Sequence, residues 1–470
     1  MIAPITDPEV IAGYLTDASN VPGCADALVR PETAEEVAEV LAHCQANGIP
    51  VTVTAARTST TAAAVPMGGW LLSMEKLNRL IGIEEGRATA EAGLFLGEFQ
   101  AEVERAGWFY PPDPTSRHEC TLGASIACNA SGARTFRYGP TRPYVESLQV
   151  VLPSGEILDV GPDDPIPDDW PVPQWTEPEV KTAAGYVPAK RLLDLFIGQE
   201  GTLGVITRAT VRLLPKPPEV MGVLAWFPDR SSAVRFMEHA RREVRADAEG
   251  LLSPRCIEYL DHHCLGFARA RLPDVPEEAS AALFCEQEQY ADPDEHLAAW
   301  WEALCEFGAI ADDTIVATDR AGQERLHALR HAVPAGINER VVANGMPKVG
   351  TDLAVPDSGL SEMMDAYEAA PLEHALFGHL GNNHLHLNLL PKSAEELDQA
   401  KAFYDDLARL AIALGGTVSA EHGVGKLKVR QLAWMVGPEV LDAFRSLKRR
   451  LDPAWILGRG NLMNGPASDA

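Results

Sequence analysis

The chain has few cysteines for its length, and no two of them stand closer than eight positions. The eight thiols (24, 44, 120, 128, 256, 264, 285, 305) are scattered through 470 residues. CxxC is therefore missing, and with it zinc ribbons, thioredoxin chemistry and cysteine-ligated iron–sulfur clusters. Reduced, cytoplasmic thiols are the expectation. Positive charge is scarce too: 40 Lys and Arg against 67 Asp and Glu give a net charge of −27. That balance argues against a nucleic-acid partner or an anionic membrane surface, because both repel an acidic protein. A local positive pocket for a small anion stays compatible with it. No apolar run of about 18 residues occurs, so no membrane-spanning helix is expected. The N-terminal stretch "MIAPITDPEVIAGYLTDASN" lacks the basic and apolar regions of a secretory signal. Two nucleotide motifs are also absent. No G-x-G-x-x-G follows a strand, and the GK of "SAEHGVGKLK" has Ala420 where a P-loop needs glycine.

What is present reads as an ordinary globular chain of two or three domains, 46% hydrophobic and 23% charged. In 31–55, Val37, Val40, Leu41 and Cys44 follow helical spacing behind a Thr33/Glu36 capping box, and "GIP" stops the helix before a "VTVTA" strand. Strands follow at "GWLLS", "RATAEAG", "ESLQVVLPSGEIL" and "LGVITRATVRLLPKP". The acid- and proline-dense segment 161–178 reads as a surface loop. The double proline of "LLPKPPEV" marks a break, dividing the chain into 1–216 and 217–470. Beyond it, "MGVLAWF", "SSAVRFMEHARREV", "ALFCEQEQ" and "HLAAWWEALCEFG" alternate strand and helix, predicting an α+β sheet with helices on one face. Residues 393–416 read as a long amphipathic helix closed by two glycines.

Four loops of small residues lie in the N-terminal half, at 54–69, 111–116, 121–139 and 198–206. Small residues let backbone N–H groups approach a pyrophosphate, and hydroxyls add donors. The C-terminal half concentrates histidine. Five of 13 (374, 379, 384, 386, 422) fall between 374 and 422, where even spacing would give one or two. In "HLHLN", His384, His386 and Asn388 share one strand face, and a glycine-bearing turn brings His379 round to it. A buried strand carrying imidazoles and half of a metal site both fit this pattern.

The motifs "PPDPTS", "TLGASIACNASGARTFRYGPTRPYV", "GQEGTLGVITRATVRLLPKP", "GHLGNNHLHLN", "SAEHGVGK" and "LDPAWILGRGNLM" cover nearly the whole chain. Together they resemble the vanillyl-alcohol-oxidase/PCMH flavoproteins with an FAD-linked oxidase C-terminal domain, on the D-lactate and D-2-hydroxyglutarate dehydrogenase branch. The resemblance implies a two-subdomain FAD-binding domain (1–216). A ferredoxin-like α+β substrate domain (217–470) follows, its C-terminal helical segment returning to the flavin. Implied FAD contacts are Ala56, Arg57, Thr58, Ser59 and Thr60 in the first loop and Pro112 in the second. Leu122, Gly123, Ala124, Asn129, Ser131 and Gly132 serve in the third. Gly201, Gly204, Val205 and Ile206 serve in the fourth, with Asn461 near the end. The first loop departs from the usual glycine-rich pattern. Backbone donation survives that change provided no replaced position needs a positive φ, and Arg57 is placed to add a charge on the pyrophosphate. With no histidine or cysteine at an expected linking position, the flavin is expected to be non-covalent.

By the same resemblance, His379, His386 and Glu421 hold a divalent metal, zinc first and manganese or iron as alternatives. "GNNH" replaces the relatives' "GDGN", leaving these ligands in place. His422 matches the general base, an imidazole suited to taking a hydroxyl proton near neutrality. Arg330 and Lys348 match the cations that receive the substrate carboxylate, with Asn388 beside them. "TDLAVP" (351–356) reads as a strand leading away from the site. The reaction implied is oxidation of a D-2-hydroxy acid, D-lactate or a close relative, to the 2-keto acid, with hydride passing to flavin N5 and electrons then to an external acceptor. An oxygen-reducing oxidase and a flavin subunit that only relays electrons stay open as alternatives, as does a homodimer.

Overall fold

The computed structural model describes residues 2–269 and 275–465, apart from the side chains of residues 320, 324, 325 and 327–331. In the first half, Thr33 caps the helix Ala34–Asn47 by accepting from the Glu36 N–H at 3.2 Å, as the capping box predicts. One face of that helix (Val37, Val40, Leu41, Cys44) is wholly buried. It packs between a three-stranded parallel sheet, ordered 27–29, 70–73, 51–54, and a five-stranded antiparallel sheet, ordered 80–84, 87–91, 205–212, 145–151, 157–160. The chain end returns here. The Val51 N–H donates to Ile456 at 2.8 Å, and the Gly458 N–H donates to Val51 at 3.0 Å.

An antiparallel sheet organises the second half, with strands ordered 315–317, 220–227, 281–288, 254–260, 374–379, 384–389 and 349–350, and residues 353–354 also pairing with 384–389. Helices cover both of its faces, not one as the strand–helix alternation suggested. Met221, Val223, Ala225 and Phe227 point at helices 230–246 and 293–306. Their alternates Leu224 and Trp226 pack with helices 262–269 and 320–344. Strands buried on both sides read as continuous apolar runs, so alternation along them could not reveal a second layer. Helix Ala394–Ala413 falls where its apolar spacing placed it. Segment 161–178 carries no regular structure, but it is more than surface: Trp175 is half-buried, donates to the Tyr186 carbonyl at 2.9 Å and packs on Phe444.

Candidate functional site

Strands His374–His379 and His384–Leu389 form a hairpin around a turn in which Asn383 takes φ 53°. Its register pairs His379 with His384 and Phe377 with His386. The three imidazoles therefore meet, with ring centres 4.4–5.6 Å apart. Gly378, at φ +133°, is required there, since a Cβ would lie 2.9 Å from His386 Cδ2.

Glu421 arrives from an irregular loop. Its Oε2 lies 3.0 Å from His379 Nε2 and 3.6 Å from His384 Nδ1. What aims this loop is Asp352. Its carboxylate accepts from the backbone N–H groups of Glu421 and His422, each at 3.0 Å, from Ser419 Oγ at 2.9 Å and from Lys428 Nζ at 2.5 Å. "TDLAVP" thus runs through the site instead of leading away from it. Burial opposes ionisation of Asp352, but the Lys428 ammonium and the neighbouring imidazoles hold it well below the usual range.

The imidazoles are oriented from behind. His379 Nδ1 stands 2.6 Å from Glu258 Oε1 and His386 Nδ1 3.1 Å from the Thr351 carbonyl. Both partners only accept, so each Nδ1 carries a proton and Nε2 is the nitrogen turned toward the site. Burial lowers both rings' affinity for a second proton. For His379, the carboxylates of Glu258 and Glu421 outweigh that and raise it to about 9. His386, facing other imidazoles, falls to about 4. Glu421 stays well below the usual carboxylate range against the cost of burial, because Lys181 and His379 face it. Lys181 donates to Glu421 Oε2 at 2.9 Å. It also borders a cavity of about 970 Å³ edged by the turn 381–383.

One donor atom from each of His379, His384, His386 and Glu421 falls within 4.8 Å of the others. Buried His384 makes no aligned hydrogen bond, although its Nε2 is 2.9 Å from Asp352. Imidazoles converging on a carboxylate form a donor set that fits a borderline divalent cation, which would take the place of the second proton on His379. His422 is the accessible member, its side chain 36% exposed, its ring stacked on His386 at 5.3 Å. Lys348 donates to Asn388 at 2.8 Å on the same strand face. Arg330 lies on helix Arg320–Asn344 with its side chain outside the described residues.

The expected cradle loops reach this site. Among the described residues, the backbone N–H groups of Ala56, Arg57, Thr58, Ser59 and Thr60 make no hydrogen bond to protein, a run of free donors suited to a pyrophosphate. The condition on φ fails, however. Arg57 and Ala62 sit at +59° and +61°, a left-handed strain of about 1–2 kcal/mol each that glycine would avoid. The Arg57 guanidinium lies 4.8 Å from the ring centre of Tyr14. At 122–124 the N–H groups are already spent on Leu94, Ala92 and Thr121. Leu122, Gly123 and Ala124 therefore offer shape, not backbone donors. Buried Ser131 Oγ has no partner. Gly132 packs where a Cβ would meet the Asp113 carbonyl at 2.1 Å, and Gly204 where one would meet Val150 at 2.6 Å. Pro112 is buried and its carbonyl accepts from Gln100, while Asn129 Oδ1 accepts from the Arg142 N–H. Gly201 has φ +70°, and Val205 and Ile206 pair with Val151 and Val150 in the five-stranded sheet. Asn461 donates to Ala63 and Glu200 and accepts from Lys426.

Glu258, Asp352, Lys181 and Glu200 were missed from sequence. One signal was available: a carboxylate inside the apolar "CIEYL" needs a partner.

Residues 216–462 match the family described as FAD linked oxidases, C-terminal domain, and residues 25–161 match the FAD binding domain. A D-lactate dehydrogenase of Anaerostipes hadrus is 30% identical over 93% of this chain and 89% of its own length. A D-2-hydroxyglutarate dehydrogenase of Xanthomonas citri is also 30% identical, over the same shares. The glycolate oxidase subunit GlcD of Bacillus subtilis is 29% identical, over 93% and 88%. Among solved structures, p-cresol methylhydroxylase with substrate bound superposes at a TM-score of 0.71, with 14% identity, over 98% of this chain and 94% of that one. The oxidase match alone spans more than half of the chain, which carries an FAD-binding domain on the PCMH-type fold and belongs to the FAD-linked oxidases.

Proposed function

We propose that this protein is a dehydrogenase of D-2-hydroxy acids, D-lactate or a close relative, with non-covalent FAD in 1–216 and the substrate site in 217–470. The observation that carries the reading is the pair His379 and His386, each Nδ1 fixed, meeting Glu421 one residue before an accessible His422. Bound FAD would supply the two-electron acceptor for the C2 hydride, and a divalent cation, zinc before manganese or iron, would supply Lewis-acid polarisation at His379, His386 and Glu421. His422 takes the hydroxyl proton at a ring nitrogen. Lys348 and Asn388, with Arg330, receive the carboxylate. Asp352 fixes the backbone of both Glu421 and His422, so ligand and base hold one relative position. Electrons leave to an acceptor outside the chain.

Support for the substrate class comes from relatives named for D-lactate and D-2-hydroxyglutarate. The relative named glycolate oxidase subunit favours a second reading, in which the acid lacks a stereocentre. Anaerobic mixing with D-lactate, L-lactate, D-2-hydroxyglutarate and glycolate separates these. Flavin absorbance bleaches with D-lactate and not with its enantiomer. Bleaching by glycolate alone supports the second reading, and no bleaching by any of the four removes both.

A further inference from the structure

A second histidine–carboxylate set stands at the other end of the same strand. We propose that Asp261, His263 and His374 form a separate zinc site that clips helix 262–269 to strand 374–379. One ligand atom from each residue falls within 4.8 Å of the other two. Zinc bonds of about 2.0–2.2 Å need ligand atoms roughly 3.3 Å apart, so closure draws the three ligand atoms inward from their present separations.

Each ligand is prepared. His374 is buried, and its Nδ1 stands 2.9 Å from the Leu372 carbonyl. A carbonyl only accepts, so the proton is on Nδ1 and Nε2 is the free donor, the arrangement that metal-binding histidines share. Asp261 is buried, its backbone N–H tied to Leu376 at 3.0 Å and its Oδ1 accepting from the Cys264 N–H at 2.8 Å. The carboxylate is thereby locked beside the strand that carries His374. His263 lies half-buried in the first turn of its helix, its ring 4.4 Å from that of His374. The ring centre of exposed His262 lies 3.9 Å from that of His263. Glu373 is engaged elsewhere, with Arg340 at 3.0 Å and Lys392 at 2.9 Å.

Three protein ligands and a solvent-facing side give a site with one open position. It is distinct from the set at His379. Five residue steps along an extended strand separate His374 from His379 by about 17 Å. A cation here joins segments more than a hundred residues apart in sequence, and one that binds only the folded chain stabilises it.

The test is equilibrium dialysis of the flavin-loaded protein at fixed free Zn²⁺, followed by elemental analysis and thermal melting. His263→Asn, half-exposed and outside the reaction, is the first variant, and His374→Asn the second. Each should bind one zinc fewer per chain than the wild type, show a smaller zinc-induced rise in melting temperature, and reduce flavin at the unchanged rate. His379→Asn should keep this zinc and its thermal shift, which separates the outcome from any failure of the proposed reaction. Equal zinc content and equal thermal shift in wild type, His263→Asn and His374→Asn would overturn the site.

Discussion

Glu421 and His422 are adjacent in sequence, yet their side chains meet different surroundings. Glu421 is buried against His379 and Lys181, whereas His422 keeps an exposed ring over His386. Because Asp352 grips the backbone of both, the His422 side chain can change without moving the loop. His422→Asn should therefore retain flavin, metal and substrate affinity. Its rate of flavin reduction should fall by a factor on the order of 10²–10⁴, the usual share of a general base. Single-turnover reduction at wild-type speed would take His422 out of the mechanism. The role proposed for Lys348 comes earlier, in binding. Removing an ammonium that meets a carboxylate costs about 1.5–3 kcal/mol. Lys348→Ala should show that loss mainly as a raised KM, with flavin content normal. An unchanged kcat/KM would move the carboxylate to other cations of the site.

At the level of elements, the hairpin was the legible part. Two-residue alternation set His384, His386 and Asn388 on one face, and the glycine-bearing turn brought His379 round to it; the structure adds the register, His379 opposite His384. What sequence could not give was the depth behind it. Glu258 lies on strand 254–260 and Asp352 in the link between 349–350 and 353–354, 121 and 32 residues from the imidazoles they face, and no local period reports such a contact. The first cradle loop misled in another way. Without glycine, nothing in "AARTSTTAAA" announces left-handed backbone, yet Arg57 and Ala62 adopt it because the surrounding contacts impose it. The hairpin has its own weak point at Gly378. A methyl group there adds positive-φ strain and presses on His386 Cδ2. Gly378→Ala should lower stability by about 1–3 kcal/mol and reduce metal content with it. Urea midpoints and elemental analysis check the pair, and wild-type values in both would mean that the hairpin accommodates the methyl.

Across the whole molecule, the two halves are joined by buried polar contacts as well as by core. Lys448 in the last helix donates to the carbonyls of Thr202 at 2.6 Å and Leu457 at 2.9 Å. Glu200, from the fourth cradle loop, accepts from the N–H groups of Val424 and Gly425, each at 2.7 Å, just past the proposed ligand and base. Burial pushes the Glu200 carboxyl up to about 7 from an ordinary 4.5, although those two N–H groups and the lysines at 428 and 426 pull it down. The sign of the effect on stability follows from proton counting. Between pH 4.5 and 7 the folded chain holds a proton at Glu200 that the unfolded chain has released. Stability from this group is therefore fully present below 4.5 and is lost as pH rises toward 7. A shift of that size corresponds to about 3 kcal/mol. Glu200→Gln has no proton to lose, so the wild-type stability minus the variant's should fall by about that amount across the interval, whatever its offset. Urea unfolding of the flavin-loaded proteins at several pH values reads the difference directly. A flat difference would mean that Glu200 is already ionised in the folded chain. The N–H groups of Val424 and Gly425, and not burial, would then set the charge at this junction between cradle and base.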